Sequence, residues 1–225
     1  MALKAELVAW GSAVEKFDQR DFDGCLDIFE QIANTAKIHF NIAIAFMNMD
    51  SLDDAISALT RAIAADPYYA AAYFQRGACL YRLGALDDAV ADFTDTIAFM
   101  RNNLLIDYTQ LGLAHKLFAC EAIYNRGLCN AALGKADAAM QDFDEALRTR
   151  PTDNADFSNI EQAIRLGSRA PESLGAYEIP RDLIYRPPVN KMKNAERVDY
   201  LGTAKVVAAV EVSDNYAGFS GKELV

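Results

Sequence analysis

A fixed spacing of small and bulky residues recurs four times along the chain. In each copy a small residue is followed 12 positions later by a second small residue, then after 4 positions by a bulky residue and after 3 more by a fourth member. The copies are Ala13–Cys25–Phe29–Ile32, Ala43–Ala55–Leu59–Ala62, Gly77–Ala89–Phe93–Thr96 and Gly127–Ala139–Phe143–Ala146. The distances between copies are 30, 34 and 50 residues, whereas the internal spacing never changes.

A constant internal spacing with variable distances between copies indicates rigid helix pairs joined by loops of different length. Small residues are needed where two helices cross closely, and the bulky residue one turn later is expected to fill the gap to the next repeat. The 34-residue period, with Pro67 and Pro151 just past the second helices, is typical of the tetratricopeptide repeat (TPR). We therefore predict an all-α superhelix of four helix-pair repeats over residues 1–155, with a concave groove.

Composition narrows the classes of function. The formal net charge of −10 argues against nucleic-acid binding, which needs a concentrated basic surface. The four cysteines show no metal-ligand spacing and are expected to be buried thiols in a reducing compartment: Cys25, Cys79, Cys120 and Cys129. No secretory signal and no apolar run of about 18 residues is present. We expect a cytoplasmic monomer without cofactor, metal or direct membrane insertion.

The 50-residue distance exceeds the regular period by 16 residues, and the surplus lies at about residues 101–116. Asn102 and Asn103 favour a turn, and Leu104–Ile106 is too short an apolar run for a helix. This pattern predicts a loop or small β-hairpin between repeats 3 and 4. Two interpretations stay open: the insertion is a binding feature, or Leu104–Ile106 packs on a neighbouring repeat.

The pattern stops after Pro151. Residues 157–166 predict one more amphipathic helix, and four prolines exclude a long helix thereafter: Pro171, Pro180, Pro187 and Pro188. Because this extended stretch is rich in apolar side chains, we expect the extension at 156–190 to dock into the TPR groove. We expect a short basic helix at residues 190–197, followed by an apolar segment, and we assign residues 191–225 to an activation region and flexible tail.

Three runs carry a family resemblance: "AYFQRG" (72–77), "LIDYTQLGLAHKLFACEAIYNRGLC" (105–129) and "DYLGTAKVVAAV" (199–210). They resemble the N-terminal half of the NADPH oxidase activator subunits, and "NRGLC" is similar to the fungal NoxR-type branch. The resemblance implies a non-enzymatic activator of a superoxide-generating NADPH oxidase. It also implies two partners, a GTP-bound Rac-type small GTPase and the membrane flavocytochrome, with recruitment to the membrane on activation.

The resemblance also implies site residues. GTPase contacts fall on the insertion and the inter-repeat loops: Arg101, Asn103, Leu105, Asp107, Asp66, Tyr68 and Lys37. Ala36 and Tyr68 depart from the phagocyte pattern, which has Ser and His there. The activation region maps to Tyr200, Leu201, Gly202, Thr203, Ala204, Lys205, Val206 and Val207. Without the resemblance, Arg101 would read as a solvated residue at a helix end, where a cation favours the helix dipole.

Two other classes of function fit the sequence less well. A peptide-binding adaptor or co-chaperone would project Lys, Arg and Asn into the groove, but the first helix offers Ala9, Trp10, Ala13 and Val14, and the second repeat offers Asn41 beside Ile44. An enzyme would need a nucleophile–base arrangement, whereas His39 and His115 are isolated and no phosphate or dinucleotide motif occurs. A TPR scaffold without catalysis is therefore predicted.

Overall fold

Antiparallel helix pairs dominate this computed structural model, which describes residues 2–151 and 157–188. The pairs are α1 (Ala2–Asp18) with α2 (Phe22–Gln31), α3 (Ala36–Asn48) with α4 (Leu52–Ala65), α5 (Ala70–Leu83) with α6 (Leu86–Phe99), and α7 (Ala119–Ala132) with α8 (Ala136–Thr149). Each pair corresponds to one copy of the sequence pattern. The predicted all-α TPR array of paired helices is confirmed.

The helix crossings explain why the sequence pattern is so regular. A Cβ atom added at Gly77 would lie 2.9 Å from the Phe93 ring, and one added at Gly127 would lie 2.6 Å from the Phe143 ring. Glycine is therefore required where each phenylalanine crosses the first helix of its own pair. All members of the pattern are buried except Ile32, which is half-buried beyond the end of α2.

Ion pairs join the two helices of the third and fourth repeats. Arg76 binds both carboxylate oxygens of Asp92, at 2.8 and 2.7 Å. Arg126 also reaches both oxygens of Asp142: its Nε lies 3.1 and 3.2 Å from them, and its Nη2 donates to Oδ1 at 2.6 Å. Bidentate guanidinium–carboxylate pairs fix orientation as well as distance. They hold each helix pair in one arrangement beside its glycine crossing.

The surplus residues form a β-hairpin, as the short apolar run predicted. Strand β1 (Leu105–Asp107) pairs antiparallel with β2 (Lys116–Phe118), with Leu105 opposite Phe118. The hairpin reaches two residues past the expected limit because β2 runs directly into α7. Glu121, in the first turn of α7, accepts the Phe118 N–H at 3.0 Å and joins strand to helix.

After α8, helix α9 (Ser158–Leu166) confirms the predicted additional helix. A 3-10 turn (Gly167–Arg169) and a single-turn helix α10 (Ala170–Ser173) follow. The sequence analysis expected extended chain from Ala170, but Pro171 lies in the first turn of α10, where a missing N–H is harmless. The chain from Leu174 to Pro188 is extended apart from one turn at Arg181–Asp182.

One continuous apolar core runs through the repeats and includes the extension. Ile179 and Tyr185 are completely buried in it. Within the described residues, no helix is both long and apolar enough to cross a membrane.

Candidate functional site

Two asparagines hold the backbone of the extension in the groove. Asn125 on α7 donates to the Tyr177 carbonyl at 2.8 Å and accepts the Tyr177 N–H at 2.7 Å. Asn41 on α3 makes the same pair of bonds with Tyr185, at 2.8 and 2.7 Å. Both side chains are buried, so each bond forms without competition from water. This arrangement recognises extended backbone in the way that peptide-binding grooves do.

A third amide, Gln75 on α5, accepts the Ile179 N–H at 2.8 Å. The extension therefore runs from the fourth repeat back towards the first, opposite to the order of the repeats. Asn41, Gln75 and Asn125 each stand two positions before the small residue that begins their copy of the pattern. The sequence analysis missed this recurrence, which was visible as a polar residue at one fixed position in three repeats.

Tyr185 is the anchor at the first-repeat end of the groove. Its hydroxyl lies 2.7 Å from the Tyr69 hydroxyl, and its ring meets Phe40 edge-on at 5.6 Å. Its carbonyl also accepts the Trp10 indole N–H at 3.0 Å. The side chain is fully buried, and burial raises the pKa of its hydroxyl. The tyrosine is therefore a neutral anchor that joins α1, α3 and the start of α5.

The extension also holds the hairpin. The Arg186 N–H donates to the Gly112 carbonyl at 2.9 Å. Lys37 donates to the Leu111 carbonyl at 2.7 Å, and its ammonium lies 5.3 Å from the centre of the Tyr185 ring. Lys37 thus connects α3, the hairpin and the extension.

The predicted GTPase-contacting residues Arg101 and Tyr68 lie together. The Arg101 guanidinium lies 5.6 Å from the centre of the Tyr68 ring, a cation–π distance. The Tyr68 ring is in turn supported by Phe99, edge-on at 5.6 Å. Arg101 and Asn102 both have left-handed backbone, with φ of 52° and 64°, a conformation that is unfavourable outside glycine.

The acidic members of the predicted set are fixed by local bonds. Asp66 accepts the Tyr68 N–H at 3.1 Å and so holds the α4–α5 loop. Asp107 accepts the Thr109 hydroxyl at 2.6 Å and its N–H at 2.9 Å. These bonds from Thr109 lower the pKa of the Asp107 carboxyl. The Asp107 carboxyl is therefore charged at neutral pH, and both side chains are held in place by bonds within their own loops.

Asn103 and Leu105 occupy different surroundings. Asn103 donates its side-chain amide to the Met100 carbonyl at 2.8 Å and lines a depression beside Ile123 and Glu145. Leu105 is exposed on β1. Lys37, Asp66 and Tyr68 instead share a second depression with Ile106 and Leu111. The structure thus brings most of the predicted residues to one side of the array and turns Asn103 towards another.

We call this side the loop edge: the start of α3 at Ala36–Lys37, the α4–α5 loop at Asp66–Tyr68, and residues 101–111. It carries a concentration of exposed apolar side chains. Seven large hydrophobic residues of the described chain are exposed, and four belong to these segments: Tyr68 (65%), Leu104 (57%), Leu111 (51%) and Leu105 (38%). Tyr68 and Leu111 line the depression beside Lys37, whereas Leu104 lines the one beside Asn103. A cluster of this kind, rimmed by charges, is the usual mark of a protein-binding surface.

The remaining predictions concern the activation region, the cysteines and metal binding. The activation-region residues Tyr200–Val207 and the predicted basic helix at 190–197 lie outside the described residues. The four cysteines are free and buried, and burial raises the pKa of each thiol to about 12. Within residues 2–151 and 157–188, no group of three or more His, Cys, Asp or Glu side chains is arranged to hold a metal ion.

Comparison with known proteins agrees with this architecture. The tetratricopeptide repeat family matches residues 40–99 and 113–154. Among solved structures, MamA superposes with a TM-score of 0.61 at 17% identity, covering 90% of each chain, and the TPR protein YrrB with a TM-score of 0.56 at 19% identity, covering 72% of this chain and 76% of its own. At these identities the similarity concerns the fold alone.

Proteins related in sequence identify a more specific family. Neutrophil cytosol factor 2 of Mus musculus is 34% identical over 98% of this chain and 42% of its own length. NADPH oxidase activator 1 of Rattus norvegicus is 32% identical over 92% of this chain and 46% of its length, and the NADPH oxidase activator of Dictyostelium discoideum is 30% identical over 83% and 30%. The chain thus spans less than half the length of these relatives. It is a TPR domain homologous to the N-terminal region of neutrophil cytosol factor 2 and the NADPH oxidase activators.

Proposed function

We propose that this chain is the regulatory segment of a NADPH oxidase activator and that its loop edge binds a GTP-bound Rac-type small GTPase. On this proposal the protein is a non-enzymatic scaffold in the cytoplasm. It brings the GTPase and the activation region at Tyr200–Val207 to the membrane flavocytochrome, which carries out electron transfer to oxygen.

One observation carries the proposal. Residues implicated by family resemblance come from three separate segments of sequence, near residues 37, 67 and 104, and they meet on one exposed edge. Two exposed large hydrophobic side chains, Tyr68 and Leu111, lie there as well. The resemblance and the exposure are independent of each other, and both point to the same surface.

The chemistry of the edge suits recognition of a protein loop. The Arg101 guanidinium offers a planar fork of donors for backbone carbonyls of a partner. Tyr68 and Leu105 offer apolar contact, while Asp66 and Asp107 offer acceptors already oriented by their own loops. Aromatic and arginine side chains of this kind often dominate the energy of an interface.

The adaptor alternative gains no support from the groove. Asn41, Gln75 and Asn125, which could read the backbone of a foreign peptide, are all bonded to the extension. A foreign peptide would first have to remove it. The loop edge, in contrast, needs no rearrangement to expose its apolar side chains.

The test is a binding titration with Arg101→Glu against a Rac-type GTPase loaded with a GTP analogue and then with GDP. The substitution removes the donors and presents a charge to carbonyl oxygens. We expect the affinity for the GTP form to fall about 30-fold or more, since loss of a charged hydrogen bond in an interface costs roughly 2–5 kcal/mol.

Arg20→Glu is a matched control. Arg20 has left-handed backbone (φ 61°), is exposed, and lies 5.7 Å from the centre of the Phe22 ring at the end of α1. Both variants therefore lose the same kind of local contact, but only Arg101 lies on the loop edge. Equal affinities for the two variants, at equal melting temperatures, would remove Arg101 from the binding surface.

A further inference from the structure

A continuous row of aromatic rings leads from the core of the third repeat to the loop edge. Tyr68 meets Phe99 edge-on with ring centres 5.6 Å apart, and Phe99 meets Tyr73 at 5.0 Å. A guanidinium stands at each end: Arg101 lies 5.6 Å from the centre of the Tyr68 ring, and Arg76 lies 5.7 Å from that of Tyr73. We call Tyr73, Phe99 and Tyr68 the aromatic column.

The inner end of the column is fixed by hydrogen bonds. Tyr73 is buried, and its hydroxyl donates to the Pro67 carbonyl at 3.3 Å. The guanidinium of Arg76 binds both carboxylate oxygens of Asp92 and also donates to the Thr60 hydroxyl at 3.0 Å. The ring of Tyr73 therefore cannot move without breaking bonds that join α4, α5 and α6.

The outer end has much less support. The Tyr68 side chain is 65% exposed, and its N–H bond to Asp66 fixes the loop backbone but not the ring. In the part of the chain that the structure describes, the Arg101 guanidinium has no ion pair or hydrogen bond, and it rests on the Tyr68 ring. Phe99, half-buried in the last turn of α6, thus stands between a fixed ring and an exposed pair.

We propose that Phe99 is a positioning residue of the loop edge. Its ring holds Tyr68 in the orientation on which the Arg101 guanidinium rests, and through that pair it sets the affinity for the GTPase. A cation is attracted to the face of an aromatic ring, and an edge-on neighbour favours one orientation of that ring. The effect on binding rests on the proposed GTPase function, whereas the effect on Arg101 can be measured in the free protein.

The test variant is Phe99→Leu, which fills part of the same volume without a ring. Phe22→Leu is the matched control in the first repeat. Phe22 is also half-buried, meets Phe17 edge-on at 5.5 Å and lies 5.7 Å from the Arg20 guanidinium. Phe99→Tyr, which keeps the ring, is the rescue variant. Phe99→Met, also without a ring, repeats the test if the leucine variant loses its fold.

Nuclear magnetic resonance of the free protein gives the first readout. Side-chain protons that lie over an aromatic face are shifted upfield by the ring current, so the Arg101 signals report whether its guanidinium still rests on Tyr68. We expect Phe99→Leu to move these signals towards their positions in Tyr68→Leu, and Phe99→Tyr to restore them. Phe22→Leu should leave them where they are in the parent.

Binding to a Rac-type GTPase loaded with a GTP analogue gives the second readout. We expect Phe99→Leu to weaken the affinity about twofold to fivefold, the factor that corresponds to an exposed cation–π contact, and Phe22→Leu to leave it unchanged. In an Arg101→Ala background, Phe99→Leu should weaken binding by a smaller factor, because the side chain that it positions is already missing.

The two readouts separate the possible failures. Arg101 signals that stay at the parent positions in Phe99→Leu would overturn the positioning role. Displaced signals with unchanged affinity, or an equal loss of affinity with and without Arg101, would overturn the link from Phe99 through Arg101 to binding. If neither the parent nor any variant binds the GTPase, the proposed function fails, and the resonance experiment still decides whether Phe99 positions Arg101.

Discussion

Replacing Gly112 with alanine should loosen the contact between the hairpin and the extension. Gly112 has φ +97°, and a Cβ atom added there would lie 2.7 Å from the Arg186 carbonyl oxygen. The same two residues share a backbone hydrogen bond of 2.9 Å, donated by Arg186. Alanine therefore introduces backbone strain and also pushes the extension away from the hairpin.

The magnitude has two parts. A left-handed backbone costs a non-glycine residue about 1–2 kcal/mol. Displacement of Arg186 removes a hydrogen bond with a net value of about 0.5–1.5 kcal/mol and disturbs the packing beside it. We expect the free energy of unfolding to fall by about 2–4 kcal/mol in total.

Gly84→Ala separates the two parts. Gly84 also has left-handed backbone, with φ +77°, but no atom outside its chain neighbours lies within 4 Å of an added Cβ. This control should lose only the strain. Urea unfolding of both variants measures the difference, for which we expect about 1–2 kcal/mol, equivalent to roughly 2–8 °C in melting temperature. Equal losses in the two variants would show that the hairpin and extension do not support each other, and the interpretation of Gly112 would be wrong.

Two further predictions concern stability. Asn125→Ala should lower the free energy of unfolding by about 2–4 kcal/mol, because it leaves the Tyr177 N–H and carbonyl without their partner. A loss below about 1 kcal/mol, measured by urea unfolding, would contradict this role of Asn125. Burial raises the pKa of Glu121 to about 7 from a usual value near 4.5, so the folded state binds the extra proton and loses stability as pH rises from about 4.5 to 7. Glu121→Gln should therefore match the parent near pH 4.5 and exceed it by about 3 kcal/mol above pH 7, since each pKa unit corresponds to about 1.4 kcal/mol. A difference between the two proteins that does not change with pH would exclude this burial effect.

The repeat array could be predicted from sequence because its constraint is local and repeated. The Gly77–Phe93 and Gly127–Phe143 crossings leave no room for a Cβ atom, so the spacing between these residues cannot vary. The hairpin could also be predicted from sequence, since a short apolar run that follows two asparagines is too short for a helix and favours a turn. In both features, near neighbours in sequence decide the structure.

The loop edge could not be predicted from spacing alone. Tyr68 and Arg101 are 33 residues apart, and they meet only because the third repeat turns the α4–α5 loop towards the end of α6. Their relation depends on the superhelical packing of successive pairs. The register of the extension could not be predicted from sequence either. Its prolines predict extended chain, but they do not determine which side-chain amide of the groove binds which backbone group of the extension. Pro171 is a further residue whose effect could not be predicted from sequence, because a proline can end a helix or lie in its first turn, as Pro171 does in α10.

Tyr185 and Arg186 tie the groove to the loop edge. The Tyr185 backbone binds Asn41 and its hydroxyl meets Tyr69, while Arg186 holds the hairpin at Gly112. A change that loosens the extension must therefore also loosen the hairpin, and a loss of GTPase affinity in such a variant would not identify a contact residue. Only exposed side chains with little role in this junction, such as Arg101, can separate binding from folding. For that reason, affinity and stability have to be measured on the same variant wherever the loop edge is tested.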